Sequence, residues 1–131
     1  MAALWWASLT TIGFLVVPLL FAHLPTPAMA GSMAAKLFTA QTWVSSTCGV
    51  LLLLQTQSNR LLTPVSIAQS AMIFIVSGML LALLSEFAVA PRIVARENLR
   101  LWHSVGSGMY LLQWLCATAT FWKLTRRKSE T

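Results

Sequence analysis

The sequence contains no aspartate and three glutamates, and charged side chains of both signs make up 9% of its 131 residues. A soluble domain carries roughly 25% charge, so a chain this apolar cannot cover a water-facing surface of its own. Acid–base catalysis by paired carboxylates is short of its raw material for the same reason. There are two cysteines, Cys48 and Cys116, without CxxC spacing. Both fall in apolar stretches and read as small buried apolar residues, a disulfide depending on helix alignment that sequence does not give. Gly106–Gly108, read GSG, lies inside a helical pattern and cannot cradle phosphate as a loop would.

What the chain does have is hydrophobic residue, 57% of the total, at a mean hydropathy of +0.74. Four apolar stretches stand out, at about Leu4–Leu24, Leu37–Leu54, Ile67–Val89 and Leu101–Lys123. Each is near or above the roughly 20 residues that cross a bilayer's hydrocarbon core. The expectation is an all-α polytopic membrane protein: one four-helix transmembrane domain over residues 1–131, with a basic tail at 124–131. The net charge of +6 then belongs to loops and helix ends, where it meets lipid headgroups, and not to a nucleic-acid surface.

The Ala28-Met29-Ala30 triplet after the first apolar stretch has the form of a signal-peptidase site. The opening MAALWW carries no Lys or Arg, however, and the apolar run exceeds the usual signal core, so the first helix is expected to stay. With four spans, Arg60, Lys123, Arg126, Arg127 and Lys128 share the side of the termini, and Lys36, Arg92, Arg96 and Arg100 the other. This leans towards cytoplasmic termini. Trp5, Trp6 and Trp122 at one boundary and Trp102 at the other suggest an interfacial aromatic belt.

The segment PRIVARENLRLWH, residues 91–103, gathers scarce charge: Arg92, Arg96, Glu97 and Arg100, followed by His103. Pro91 suits the first position of a new helix. A helix from Pro91 to Lys123 would be about 50 Å long against a core of ~30 Å, which predicts an interfacial extension at the start of helix 4. At helical spacing Arg92, Arg96, Arg100, His103, Ser107 and Tyr110 then form one polar stripe running into the bilayer. It faces either neighbouring helices or a polar pocket. His23, Lys36, Glu86 and His103 all fall near the membrane face opposite the termini, so that face is the candidate site.

His23 and His103 on different helices could ligate haem iron. The same pair with Met29 and Met33 offers thioether and imidazole ligands suited to copper. Gly49 with Gln41, Ser45 and Cys48, and Ser104 with Gly106 and Gly108, make small and polar faces for helix packing.

The stretch VVPLLFAHLPTPAMAGSMAAKLF, with Pro18, Leu20-Phe21, Ala30-Gly31 and Leu37-Phe38, resembles the first-helix signature of the transmembrane-protein-205-like family, whose bacterial members carry an uncharacterised domain numbered 4149. Its second signature is similar to Pro91-Arg92-Ile93, Arg96-Glu97, Leu101, His103 and Leu111-Leu112-Gln113. Gly106 and Tyr110 depart from the small residue and Asn usual after the His. The resemblance implies a four-helix integral membrane protein without an established catalytic activity. The leading expectation is therefore a non-enzymatic accessory or self-associating bundle, partnered by lipid and by itself or other membrane subunits, with no nucleic acid. The alternatives are a haem- or copper-binding protein, and an oligomeric small-molecule or ion permeation path.

Overall fold

The computed structural model describes residues 1–62 and 64–126, so Arg127, Lys128 and most of the basic tail lie outside the described residues. Four helices account for nearly all of it: α1 (Ala2–His23), α2 (Pro27–Ser58), α3 (Val65–Val94) and α4 (Leu99–Arg126). A single 3-10 turn, Arg60–Leu62, precedes α3. The helices form a ring in which α1 and α3 each pack on both α2 and α4. By length and composition α1, α2 and α3 are sufficient to cross a membrane. The fourth expected span coincides with α4, which is long enough but less apolar, its run broken by Ser104, Ser107, Tyr110, Gln113 and Thr118.

Burial is inverted relative to a water-soluble protein. The centre packs a few large side chains, Trp5, Leu9, Leu52 and Ile75, among Ala30, Ala71, Ala82, Ala117, Ser45 and Thr120, whereas Phe14, Leu19, Leu54, Ile73, Leu80 and Phe87 are exposed. Only 11% of the apolar window of α1 is buried. Hydrocarbon gives helices no hydrophobic reason to associate, so small residues and polar contacts hold the bundle instead. Trp5, fully buried, sets the edge of its indole against Gly78 across the ring, where a Cβ would come within 2.6 Å of it. Gly49 is covered in the same way by Met79. The expected belt at this boundary is thus corrected: Trp5 is core and Trp6 is half-buried against Phe121, their rings stacked at 5.6 Å.

Two helix boundaries differ from expectation. α2 begins at Pro27, ten residues before the apolar run at Leu37. Thr26 caps it by accepting the Met29 N–H at 3.2 Å, Pro27 fills the first position, and alanine-rich sequence propagates the helix. Pro91 does not start helix 4 but lies inside α3. The chain leaves α3 through a Schellman turn, with Glu97 N–H on the Arg92 carbonyl and Arg96 N–H on that of Ile93, both at 3.1 Å. Arg96 takes the left-handed position (φ 56°) and Asn98 also has positive φ, 39°. The interfacial extension of helix 4 is therefore a tight α3–α4 hairpin, and the arginine stripe is broken. Arg92 and Arg96 belong to the end of α3 and its turn, and only Arg100 shares a helix with His103.

Candidate functional site

Prolines explain why the bundle opens at the end away from the termini. A proline inside a helix lacks the N–H and crowds the carbonyl four residues back. Both helical prolines with a preceding turn, Pro18 and Pro91, follow a π-helical segment, Ile12–Val16 in α1 and Ser85–Val89 in α3. The residue before each proline donates five residues back, Val17 to Ile12 and Ala90 to Ser85. The wider turn accommodates the ring and lets each helix run on beyond it.

Between these bulges lies a cavity of about 620 Å³ to which all four helices contribute. Gly13 and Phe14 come from one bulge, Ser85, Glu86 and Val89 from the other. Phe38, Ile93 and Leu111 complete an apolar wall. The exposed lining residues Pro18 and Phe21 on α1, Val94 at the end of α3, and His103 and Ser107 on α4 border its opening. Its volume falls within the roughly 300–1,000 Å³ typical of small-molecule sites, which likewise combine apolar walls with a few polar groups.

Those polar groups are fixed from behind. Glu86, half-buried, accepts the Thr39 hydroxyl proton at 2.8 Å. Gln41 is 3% exposed. Its Nε2 donates to Ser8 Oγ at 2.9 Å and Ser45 Oγ at 3.2 Å. Ser8 gives its own proton to the Trp5 carbonyl and so must accept, which fixes the amide orientation. Gln41 Oε1 is left buried without a hydrogen-bond partner, as is the Ser85 hydroxyl. Gln113 reaches across the ring to Ser45 Oγ at 2.9 Å, and Tyr110 donates to the Leu9 carbonyl at 2.6 Å above the α1 bulge.

Of the residues singled out from sequence for the polar face, the cavity gathers Glu86, His103, Ser107 and Tyr110; Gly106 and Gln41, read as packing residues, line it too, as do Pro18, Phe21, Gly31, Phe38, Ile93, Leu111 and Gln113 of the family signatures. It does not gather His23, Met29, Met33, Arg92, Arg96, Glu97 or Arg100. His23 is exposed, its Nδ1 3.1 Å from the Leu19 carbonyl of its own helix. Met29 and Met33 are about half exposed, at 52% and 46%. Among the described residues no group of three or more His, Cys, Asp or Glu is placed to hold a metal. Arg92 lies over the Trp102 ring, 4.4 Å from its centroid, tying the end of α3 to the first turn of α4.

The family described as a domain of unknown function (DUF4149) matches residues 1–101. The chain belongs to this family. The match covers the three apolar helices, both bulges and the hairpin up to Leu101, so most of the cavity of this DUF4149 protein lies inside it. No curated protein and no solved structure matches the chain.

Sequence reasoning missed Ser85 and weighed Gln41 only as a packing residue. It also missed a reciprocal clamp between α1 and α4. Trp6 Nε1 donates to Thr118 Oγ1 at 3.0 Å and Trp114 Nε1 to Thr10 Oγ1 at 2.9 Å. The signal was present as Trp-x-x-x-Thr at 6–10 and again at 114–118, a spacing that sets both residues on one helix face.

Proposed function

We propose that this DUF4149 protein is a non-catalytic integral membrane protein that binds a small, mainly apolar molecule in its cavity, entering sideways between α1 and α4. The observation that carries the reading is the cavity itself: apolar walls from four helices around Glu86, Gln41 and Ser85, whose hydrogen-bonding capacity is incompletely used. In this reading all four helices cross a bacterial cytoplasmic membrane. Support for the fourth comes from α4's polar groups, since Tyr110, Gln113, Trp114 and Thr118 all bond inward to α1 or α2, as lipid requires. The termini face the cytoplasm, on the side of Arg60, Lys123 and Arg126.

The test is binding of 1-naphthylmethanol to protein in lipid nanodiscs, measured by calorimetry against empty nanodiscs. Saturable binding is expected, together with its loss in Gly31→Phe. Gly31 lines the cavity, and a Cβ there meets nothing within 4 Å, so the larger ring fills space without displacing the bundle. Equal uptake by protein-containing and empty nanodiscs would refute the reading.

A second reading, self-association, is favoured by Ser104 and Gly108. Both are exposed on the outside of α4, and nothing lies within 4 Å of a Cβ at Gly108. This small-x-x-x-small pair is open to a second helix.

A further inference from the structure

We infer that the cavity selects molecules bearing a primary ammonium head on an apolar body, read by Glu86, Gln41 and Ser85. The inference rests on the ligand-binding reading above and names the ligand's chemistry. The cavity's spare polar capacity is biased towards acceptance. The Glu86 carboxylate accepts only and uses one oxygen on Thr39. Gln41 Oε1 is an acceptor, 3% exposed as a residue and unpartnered, with its orientation set by the Ser8 proton. The Ser85 hydroxyl, on the α3 bulge, is unpartnered as well. An unpartnered buried polar atom is costly, and a ligand that supplies donors relieves that cost.

An ammonium has three N–H donors and no acceptor, which matches three groups able to accept. Its bond to a carboxylate is charge-assisted and roughly twice as strong as a neutral one. A ligand with a carboxylate or phosphate head finds the reverse situation. None of the described Lys or Arg side chains lines the cavity, and the ligand's charge would face Glu86. Sideways entry between α1 and α4, as in the reading above, admits a free-base amine from the bilayer. A neutral amine meeting a protonated carboxyl and an ammonium meeting a carboxylate give the same ion pair, with one proton on nitrogen in either case. The apolar remainder packs on Phe14, Phe38, Ile93 and Leu111.

The test compares 1-naphthylmethylamine, 1-naphthylmethanol and 1-naphthoic acid by calorimetry on the full chain in nanodiscs. The amine is expected to bind at least tenfold more tightly than the alcohol, and the acid more weakly than either. Glu86→Gln should abolish the amine's advantage over the alcohol. Ser85→Ala deletes a hydroxyl that has no partner, so it preserves the fold, and it should weaken the amine several-fold more than the alcohol. It decides the matter should Glu86→Gln fail to fold. Equal binding of amine and alcohol, or tighter binding of the acid, overturns the ammonium assignment while leaving the cavity a binding site. If no probe binds and wild type matches Gly31→Phe, the binding reading falls and this inference with it.

Discussion

Tyr110 shows how much one hydroxyl does in a core that mixes small and polar residues with a few large apolar ones. Its ring covers Gly13 and its hydroxyl donates to the Leu9 carbonyl at 2.6 Å, so it props α1 open just where the π-helical segment begins. Interhelical hydrogen bonds inside membranes average about 0.6 kcal/mol and reach about 1.7. Tyr110→Phe is therefore expected to cost about 1 kcal/mol, measured by reversible unfolding in mixed micelles, with the ring still in place. The Trp6–Thr118 and Trp114–Thr10 bonds run in opposite directions across one interface, and a double-mutant cycle separates them. Trp6→Phe with Thr118→Val should show a coupling of about 0.5–1.5 kcal/mol; a coupling near zero would mean that stacking on Phe121, not the hydrogen bond, holds Trp6. Arg96 presents the opposite case, a residue held against its preference. Left-handed backbone costs a non-glycine residue roughly 1–2 kcal/mol, and Arg96 carries φ 56° while lying outside the lining of the cavity. Arg96→Gly should leave the hairpin intact and raise the unfolding temperature, while Arg96→Val should lower it.

The bulged helix is the element on which the site depends. Pro18 and Pro91 stand out in the sequence, and Pro91 reads as a helix start because a proline normally ends the helix before it. The extra residue of a π-segment removes that conflict, and nothing in the composition of Ser85–Val89 announces it, since the segment combines ordinary helix formers with a Glu. The end of the bundle that holds the site was legible, because Glu86 and His103 are ionisable residues where apolar ones predominate. The arginines were read into the same stripe only because an unbroken helix from Pro91 was assumed. Two left-handed residues, Arg96 and Asn98, undo that assumption, and neither is a glycine that would have flagged the turn. If the bulge makes the site, deleting exposed Ala88 should close the α3 π-segment into an α-turn. Because five residues of a π-turn and four of an α-turn each make about one turn, Ile93 and Val94 would keep their register, while the widened turn that carries Ser85 and Glu86 into the cavity wall would be lost. Helical content by circular dichroism should be unchanged, and naphthylmethanol binding should fall at least tenfold. Retained binding would show that Ser85–Val89 is not what shapes the cavity.

At the scale of the whole molecule the decisive property is the inversion of burial, which assigns opposite duties to residues of the same kind. Gly78 and Gly108 both interrupt apolar helical sequence, and composition does not distinguish them. Gly78 lies against the fully buried Trp5 ring of α1, where an added Cβ approaches to 2.6 Å. Gly108 looks outward with nothing near it. Overpacking costs about 1–3 kcal/mol where neighbours cannot yield, and an indole held on all sides is such a neighbour. Gly78→Ala should therefore lower stability by that amount in detergent without altering the oligomeric state of the protein that remains folded. Gly108→Leu should do the reverse. Leucine is a better helix former than glycine by several tenths of a kcal/mol, so the monomer should be no less stable. The flat Ser104–Gly108 face, though, loses its close approach to a second helix. Förster transfer between labelled chains in liposomes should show association weakened by about tenfold, equivalent to about 1.4 kcal/mol. Association unchanged by Gly108→Leu, with Ser104→Leu equally silent, would remove this face from any dimer and leave the cavity as the protein's one functional surface under test.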